Sequence, residues 1–318
     1  MSTFEKHLKK ISKLISFCNC NSSHSHETNA TLTTKSIERL SQSIYDNCEF
    51  HGELRLFDIG CSYGTFLLQA KDYLERLNKE AKQNEVKMYF TGCDNSKMRI
   101  MLGASFITRL IGDRTIEDLP NFRTLIFHQS ILERTTLENT DIIYMYDKAF
   151  NPPLLIHCLL VIIKSKDVKW IITCKKGDKE FNFSTLIKQT KFFKVLDKIQ
   201  NIRMAGSGES DTFVIYQKNH DVNNEFLTCK DETSTFLSRI GVKTKLCGQV
   251  IETYFGKEKN NFNVIKSHFS TNAGWETYYK NLGDTTCLTR RDAQRKCQLK
   301  KGVINYSDTT RKRKRNEK

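Results

Sequence analysis

Apolar residues along this chain follow two spacings, a helical one and a short continuous one, which alternate between residues 32 and 218. Phe4, Leu8, Ile11, Leu14 and Ile15, with lysines between them, predict a small docking helix at the start. A polar linker from Asn19 to Thr31 follows. A helix over 35–46 then precedes the apolar run Leu54-Arg55-Leu56-Phe57-Asp58-Ile59, which predicts a strand. Phe66, Leu67, Ala70, Leu74 and Leu77 restore helical spacing. Met88-Tyr89-Phe90 predicts a second strand and residues 97–110 a helix. Three further strands are expected at 123–127, 141–146 and 169–174, with a helix over 154–163 between the last two. Residues 195–203, the turn Gly206-Ser207-Gly208 and residues 212–216 predict a closing hairpin.

Strands alternating with helices predict an α/β fold, a parallel sheet covered on both faces. The terminal antiparallel hairpin makes it the Rossmann-like sheet of class I methyltransferases. The expected division is an N-terminal helix and linker over 1–31, the α/β domain over 32–218, an appendage over 219–289 and a basic, disordered tail over 290–318. The appendage shows no clean periodicity. Its aromatics (Tyr254, Phe255, Phe262, Phe269, Trp275, Tyr278, Tyr279) lie between Asn-rich turns.

Composition narrows the class. No stretch approaches the ~18 uncharged apolar residues of a membrane helix, so no membrane partner is expected. With 3 Pro and 15 Gly in 318 residues, collagen-like and Pro-rich disordered classes are excluded. The 11 cysteines are odd in number and scattered, and several (Cys61, Cys93, Cys158, Cys174) sit in apolar stretches. With no CxxC pair, they predict a reduced, intracellular protein. Cys18, Cys20, His24 and His26 are spaced too tightly for an ordinary zinc finger, so no metal site is expected. Charge is uneven: residues 290–318 carry 12 Lys+Arg against 3 Asp+Glu, nine of the net +15. The end, Arg311-Lys312-Arg313-Lys314-Arg315, suits a solvated terminus, a nuclear-import signal or an arm that grips DNA.

The chemistry concentrates at predicted strand ends. Asp58-Ile59-Gly60-Cys61-Ser62-Tyr63-Gly64-Thr65 closes the first strand and opens a helix, where open α/β sheets bind ligands. A dinucleotide loop would read GxGxxG and hold a pyrophosphate. This one reads GxxxG and begins with an acid, which suits S-adenosylmethionine, a cofactor with a cationic amino-acid moiety and no phosphate. Asp94, ending the second strand, can accept hydrogen bonds from both ribose hydroxyls; helix capping is its bland alternative. Gln129 and Ser130, after the third strand, are expected at the adenine edge. The fourth strand runs into Tyr144-Met145-Tyr146-Asp147-Lys148-Ala149-Phe150-Asn151-Pro152-Pro153, the segment facing a methyl donor in this fold. Asn151-Pro152-Pro153 invites comparison with enzymes that methylate exocyclic amines of bases. For Asp147, an ion pair with Lys148 or a helix cap is the structural alternative to a catalytic role.

AFNPP after a strand and two polar residues resembles the NNFAFGP segment of the disruptor-of-telomeric-silencing family, histone lysine methyltransferases that lack a SET domain. DIGCSYG is similar to the family's DLGSGVG, and MAGSGESDTFVIY to its closing hairpin, so the resemblance spans roughly 33–218. It implies that Asp58, Gly60, Gly64 and Asp94, with Ser62 at the loop's middle glycine, hold S-adenosylmethionine. It implies that Tyr146, Asp147 and Phe150 line a lysine channel, with Tyr146-Asp147 standing where the family has paired Asn. The function expected is methylation of a histone lysine in nucleosomes, by a monomer in the nucleus whose basic tail grips DNA. Base methylation through Asn151 is one alternative. A catalytically inactive nucleosome- or DNA-binding relative, suggested by Ser62 and the altered Asn pair, is another.

Overall fold

A computed structural model of the chain describes residues 32–81, 86–112, 124–175, 182–204, 210–219 and 225–256. The expected first helix, the Cys/His linker, the 206–208 turn, the aromatics beyond Phe255 and the basic tail lie outside the described residues.

In chain order the elements are α1 (Thr34–Asn47), β1 (Glu53–Ile59), α2 (Thr65–Glu80), β2 (Lys87–Asp94), α3 (Lys97–Gly112), β3 (Thr124–His128), β4 (Ile142–Met145) and α4 (Pro152–Lys164). After them come β5 (Trp170–Lys175), α5 (Phe183–Thr190), β6 (Phe193–Arg203), β7 (Ser210–Lys218), α6 (Lys230–Arg239) and α7 (Thr244–Phe255). Each expected element between 32 and 218 is present. α5, two turns long and capped by Asn182, which accepts the Thr185 N–H at 2.8 Å, is an addition.

The seven strands form one sheet in the order β3-β2-β1-β4-β5-β7-β6. β1 to β5 are parallel, and β7 enters antiparallel between β5 and β6. This is the expected class I methyltransferase sheet. From β1 the chain winds outward through β2 to β3, then returns to place β4 on the other side of β1. The carboxyl ends of β1 and β4 therefore flank the point where the winding reverses, the natural crevice of such a sheet.

The hairpin edge is held by α1. Ser43 Oγ donates to Asp197 Oδ2 at 2.5 Å, and the Arg203 N–H donates to Ser36 Oγ at 2.7 Å. On the opposite flank, α4 is apolar on every side but for His157 and is buried from Leu155 to Ile163. A helix of that kind needs cover on both sides. α7 packs on it and α6 packs on α7: Phe236 and Leu237 of α6, Val250 and Tyr254 of α7, and Leu227 of the 3-10 turn over Glu225–Thr228 join the same core as the sheet. The described part of the expected appendage is thus a helical pair continuous with the α/β core. Two short helices that expose most of their residues and bury only a few leave little periodicity in the sequence.

Candidate functional site

Hydrophobic strands deliver a small set of polar and aromatic side chains to the carboxyl edge of the sheet. β1 ends on Asp58 and Ile59, and the chain must then turn sharply to start α2. Gly60 and Gly64 make that turn at φ +84 and +73, in the left-handed region that glycine enters without strain. Ser62 between them is also left-handed, at φ 53, so the residue standing at the resembled family's glycine adopts a glycine's conformation. That geometry costs a non-glycine residue about 1 kcal/mol. The Ser62 N–H donates to Asp94 Oδ2 at 3.0 Å, which offsets part of it. The loop is pressed onto β2: the Gly60 and Cys61 N–H groups donate to the Cys93 carbonyl at 2.8 and 3.0 Å. A methyl group on Gly92 would lie 2.6 Å from Cys61 Cβ.

Asp58 is 3% exposed, and no described residue hydrogen-bonds or pairs with its carboxyl. Burial raises its pKa well above the carboxylate range, and the nearby Asp94 charge adds to the effect. Strand register sets Asp58 beside Tyr144 of β4. The Tyr144 phenol is itself pushed up by burial and then by the Asp58 charge. A buried acid with no cation is held neutral until a cation, such as a ligand's ammonium, stands beside it.

Asp94 does two structural jobs. Its Oδ2 takes the Ser62 N–H, its Oδ1 takes the Ser96 N–H at 2.8 Å, and Arg99 Nη1 stands 3.7 Å away. It thereby ties the glycine loop to the start of α3. An ionised carboxylate offers about four acceptor positions, so capacity for ligand hydroxyls is left over. Gln129 meets the same corner: its N–H donates to the Asp94 carbonyl at 3.0 Å, and its Oε1 accepts from Arg134 Nε at 3.0 Å. Ser130 Oγ accepts the Leu132 N–H at 3.2 Å and caps the short 3-10 turn over Ile131–Glu133. The two residues expected at the adenine edge thus lie beside Asp94, with their side-chain oxygens engaged inside the protein.

Beyond β4 the chain forms a 3-10 turn over Asp147–Ala149 before α4. Asp147 is fully buried; its Oδ1 accepts from Thr173 Oγ1 at 2.8 Å and from the Cys174 N–H at 3.2 Å. This acid braces the turn against β5, and the cap of the following helix falls to another residue, Asn151. Lys148 reaches Asp211 of β7, with Nζ 3.3 Å from Oδ1. The cap of α4 is Asn151, exposed, with Oδ1 accepting the Leu154 N–H at 3.0 Å and Pro152 and Pro153 opening the helix.

The aromatic side chains stand in two groupings. The Phe150 ring lies over Gly60, where an added Cβ would stand 3.1 Å from the ring. Phe66 stacks on Tyr144 at 3.7 Å between centroids, Tyr144 on Phe213 at 6.0 Å, and Phe213 on Tyr146 at 5.8 Å. The Tyr146 hydroxyl donates to Asp211 Oδ2 at 2.7 Å. Asp211 and Phe213 were missed in the sequence. The signal was available: in this topology the last strand runs antiparallel to β5, so its first residues stand at the ligand edge. Among the described residues no cluster of His, Cys, Asp and Glu could hold a metal ion.

No protein-family model matches the chain, and no curated protein matches it in sequence. Among solved structures it is similar to a Pyrococcus horikoshii protein assigned as an RNA methyltransferase, at 12% identity over 67% of this chain and 98% of that one, TM-score 0.40. It is also similar to a Listeria monocytogenes protein assigned as a class I S-adenosylmethionine-dependent methyltransferase, at 15% identity over 74% and 80%, TM-score 0.43. A third is magnesium protoporphyrin IX methyltransferase from Synechocystis PCC 6803 with bound S-adenosylmethionine, at 9% identity over 66% and 97%, TM-score 0.39.

Proposed function

We propose that this chain is an S-adenosylmethionine-dependent methyltransferase acting on a protein lysine, with core histones in nucleosomes as the substrate. The observation that carries the cofactor is the buried, unpartnered Asp58 beneath a glycine bend at the sheet's crevice. The residues present fit that cofactor. Asp58 would meet the ammonium of its methionyl part, Gly60 leaves room for close approach, and Asp94 keeps lone pairs for the ribose hydroxyls. Gln129 and Ser130 would lie along the adenine. Bound there, its sulfonium supplies a methyl group to an in-line nucleophile.

The chain's own residues then position and desolvate the acceptor. Phe150, lying over Gly60, and Tyr146, at the end of β4, would be the aromatic walls of the acceptor's path. A lysine amine must be neutral to attack, although its pKa in water is about 10.4. Aromatic surroundings disfavour the charged form and bring that value down. Asp147 is sealed from solvent, so it positions the walls, and the proton leaves through the open side of the cleft. Base methylation would need Asn151 at the reacting amine. Its carboxamide oxygen instead caps α4, which favours the lysine reading. Partner and location follow as part of the same proposal: the excess of +15 suits nucleosomal DNA in the nucleus.

A radiolabelled methyl-donor assay offering nucleosomes, free histones, DNA and RNA side by side tests this. Label is expected in a histone. Label in nucleic acid alone, lost in Asn151→Ala, would replace the lysine reading with base methylation. Cofactor bound without transfer to any acceptor would leave a nucleosome-binding relative that has lost catalysis.

A further inference from the structure

The acid that the sequence places after β4 is walled in, yet a second acid stands on the aromatic side of the cleft. β7 runs antiparallel to β5, pairing Thr212 with Lys175 and Phe213 with Cys174. Its amino-terminal end therefore lies at the carboxyl edge of the sheet, level with the ligand crevice. Asp211 sits there with a side chain 12% exposed. Two fixed elements orient it: the Tyr146 hydroxyl at 2.7 Å on Oδ2, and β-pairing with Ile202 of β6. The neighbouring rings of Tyr146 and Phe213 stack at 5.8 Å. Phe213 is buried behind Tyr146, so the ring left to a ligand is that of Tyr146; a carboxylate next to such a ring suits an alkylammonium group, since it joins charge pairing to cation–π attraction. The structure already holds one such group. The ammonium of Lys148, on a side chain 41% exposed, lies 3.3 Å from Asp211 Oδ1. With its lysine on the solvent side, such a pair can exchange for another ammonium.

From this arrangement we infer that Asp211, with the Tyr146 ring and hydroxyl, is the subsite that receives the substrate's lysine ammonium at the cleft mouth, and that Lys148 is an internal occupant the substrate displaces. The subsite rests on the methyltransferase reading for its purpose and explains how an enzyme whose post-β4 acid is buried selects a cationic side chain. The incoming cation is held charged at Asp211 and becomes neutral only on moving toward Phe150 and Gly60. Holding and reacting are then separate positions, so Asp211 governs KM more than kcat.

The test measures binding of n-butylammonium, with n-butanol as its uncharged counterpart, to the full chain by ligand-observed saturation-transfer NMR. Asp211→Asn is expected to weaken n-butylammonium about tenfold, the worth of one charged hydrogen bond, and to leave n-butanol unchanged. Lys148→Ala is expected to tighten n-butylammonium about threefold by removing the competitor. In turnover, Asp211→Asn raises KM for nucleosomes with kcat held within about twofold. Binding of n-butylammonium that is indifferent to both substitutions overturns the subsite. So does equal weakening of n-butanol, which would mark Asp211 as a brace. Should Asp211→Asn fail to fold, Lys148→Ala decides alone, and no gain in affinity overturns the subsite. Asp211-dependent ammonium binding in a chain that methylates no protein would sink the lysine methyltransferase reading and leave the subsite standing.

Discussion

A carboxyl group buried without a partner raises the free energy of the protein that carries it, and Asp58 is such a group. Its pKa in the folded chain lies above the unfolded value of about 3.9. The folded chain therefore keeps this proton to higher pH. Asp58's contribution to stability is full below the unfolded value and falls as pH rises through the folded one. Asparagine removes that fall. Asp58→Asn is expected to raise Tm near neutral pH by about 2–4 °C, the scale of a 1 kcal/mol gain. It should also abolish calorimetric binding of S-adenosylmethionine. A variant that is destabilised yet still binds the cofactor would take Asp58 out of the site. The opposite case is Asp147, whose bonds to Thr173 and Cys174 make it part of the frame. Sequence position alone gives the two acids equal standing, each closing or following a central strand. Burial with partners and burial without separate them.

At the scale of elements, α4 connects the carboxyl edge of the sheet to the rest of the molecule. Its carboxyl end is held by Lys218 of β7, whose Nζ donates to the carbonyls of Ile163 at 2.9 Å and Ser165 at 2.8 Å. Burial lowers the Lys218 pKa to about 8, with the Asp167 charge opposing. Between that value and about 10.4 the unfolded chain binds the proton more fully than the folded one. This residue's contribution to stability thus rises with pH across that window. Lys218→Met should remove the rise, seen as the difference between the two proteins in urea unfolding from pH 7.5 to 10.5. It should also cost about 1–3 kcal/mol at pH 7.5 through the uncapped carbonyls. α7 makes the second connection. The Tyr254 hydroxyl donates to the Thr135 carbonyl at 3.2 Å, and its ring meets His157 edge-on. His157 Nε2 in turn donates to the Arg134 carbonyl at 2.9 Å. The helical pair thereby steadies the segment that follows Gln129 and Ser130. Tyr254→Ala is expected to cost about 3–5 kcal/mol, as for other large buried aromatics. It should also speed amide exchange over 131–135 and weaken cofactor binding. Unchanged exchange there would confine Tyr254 to core packing.

For the whole molecule, the governing quantity is charge. Nine of the fifteen excess positive charges fall in residues 290–318. If that tail contacts nucleosomal DNA, neutralised phosphates release counterions and affinity falls steeply with salt. Deleting residues 311–318 should then flatten the slope of log affinity against log salt by up to about 4–5, close to one per lost phosphate contact. An unchanged slope removes the tail from the interface. The described fold makes this division of labour workable, since a single core joins the sheet, α4 and the α6–α7 pair. The proposed methyl transfer would need that rigid body, and attraction to a polyanion needs only net charge.

The order of elements, the α/β class and the glycine bend were legible because each is a local property. Strand and helix periods, the Asp58–Gly64 spacing and the missing phosphate-binding pattern all lie within short windows of chain. Asn151 illustrates the limit. NPP has one appearance in sequence, and only the start of α4 shows that the asparagine oxygen caps a helix. Asp147 and Asp211 illustrate it further, because what a carboxylate does depends on which groups from distant strands surround it. β5 reaches Asp147 from 26 residues away, and the turn after β4 reaches Asp211 from 65. Local pattern therefore decided where strands and bends would form. Only the closed sheet, by fixing which side chains share a dry environment, decided which acid became frame, which stayed open to a ligand cation and which came to stand beside the aromatic wall.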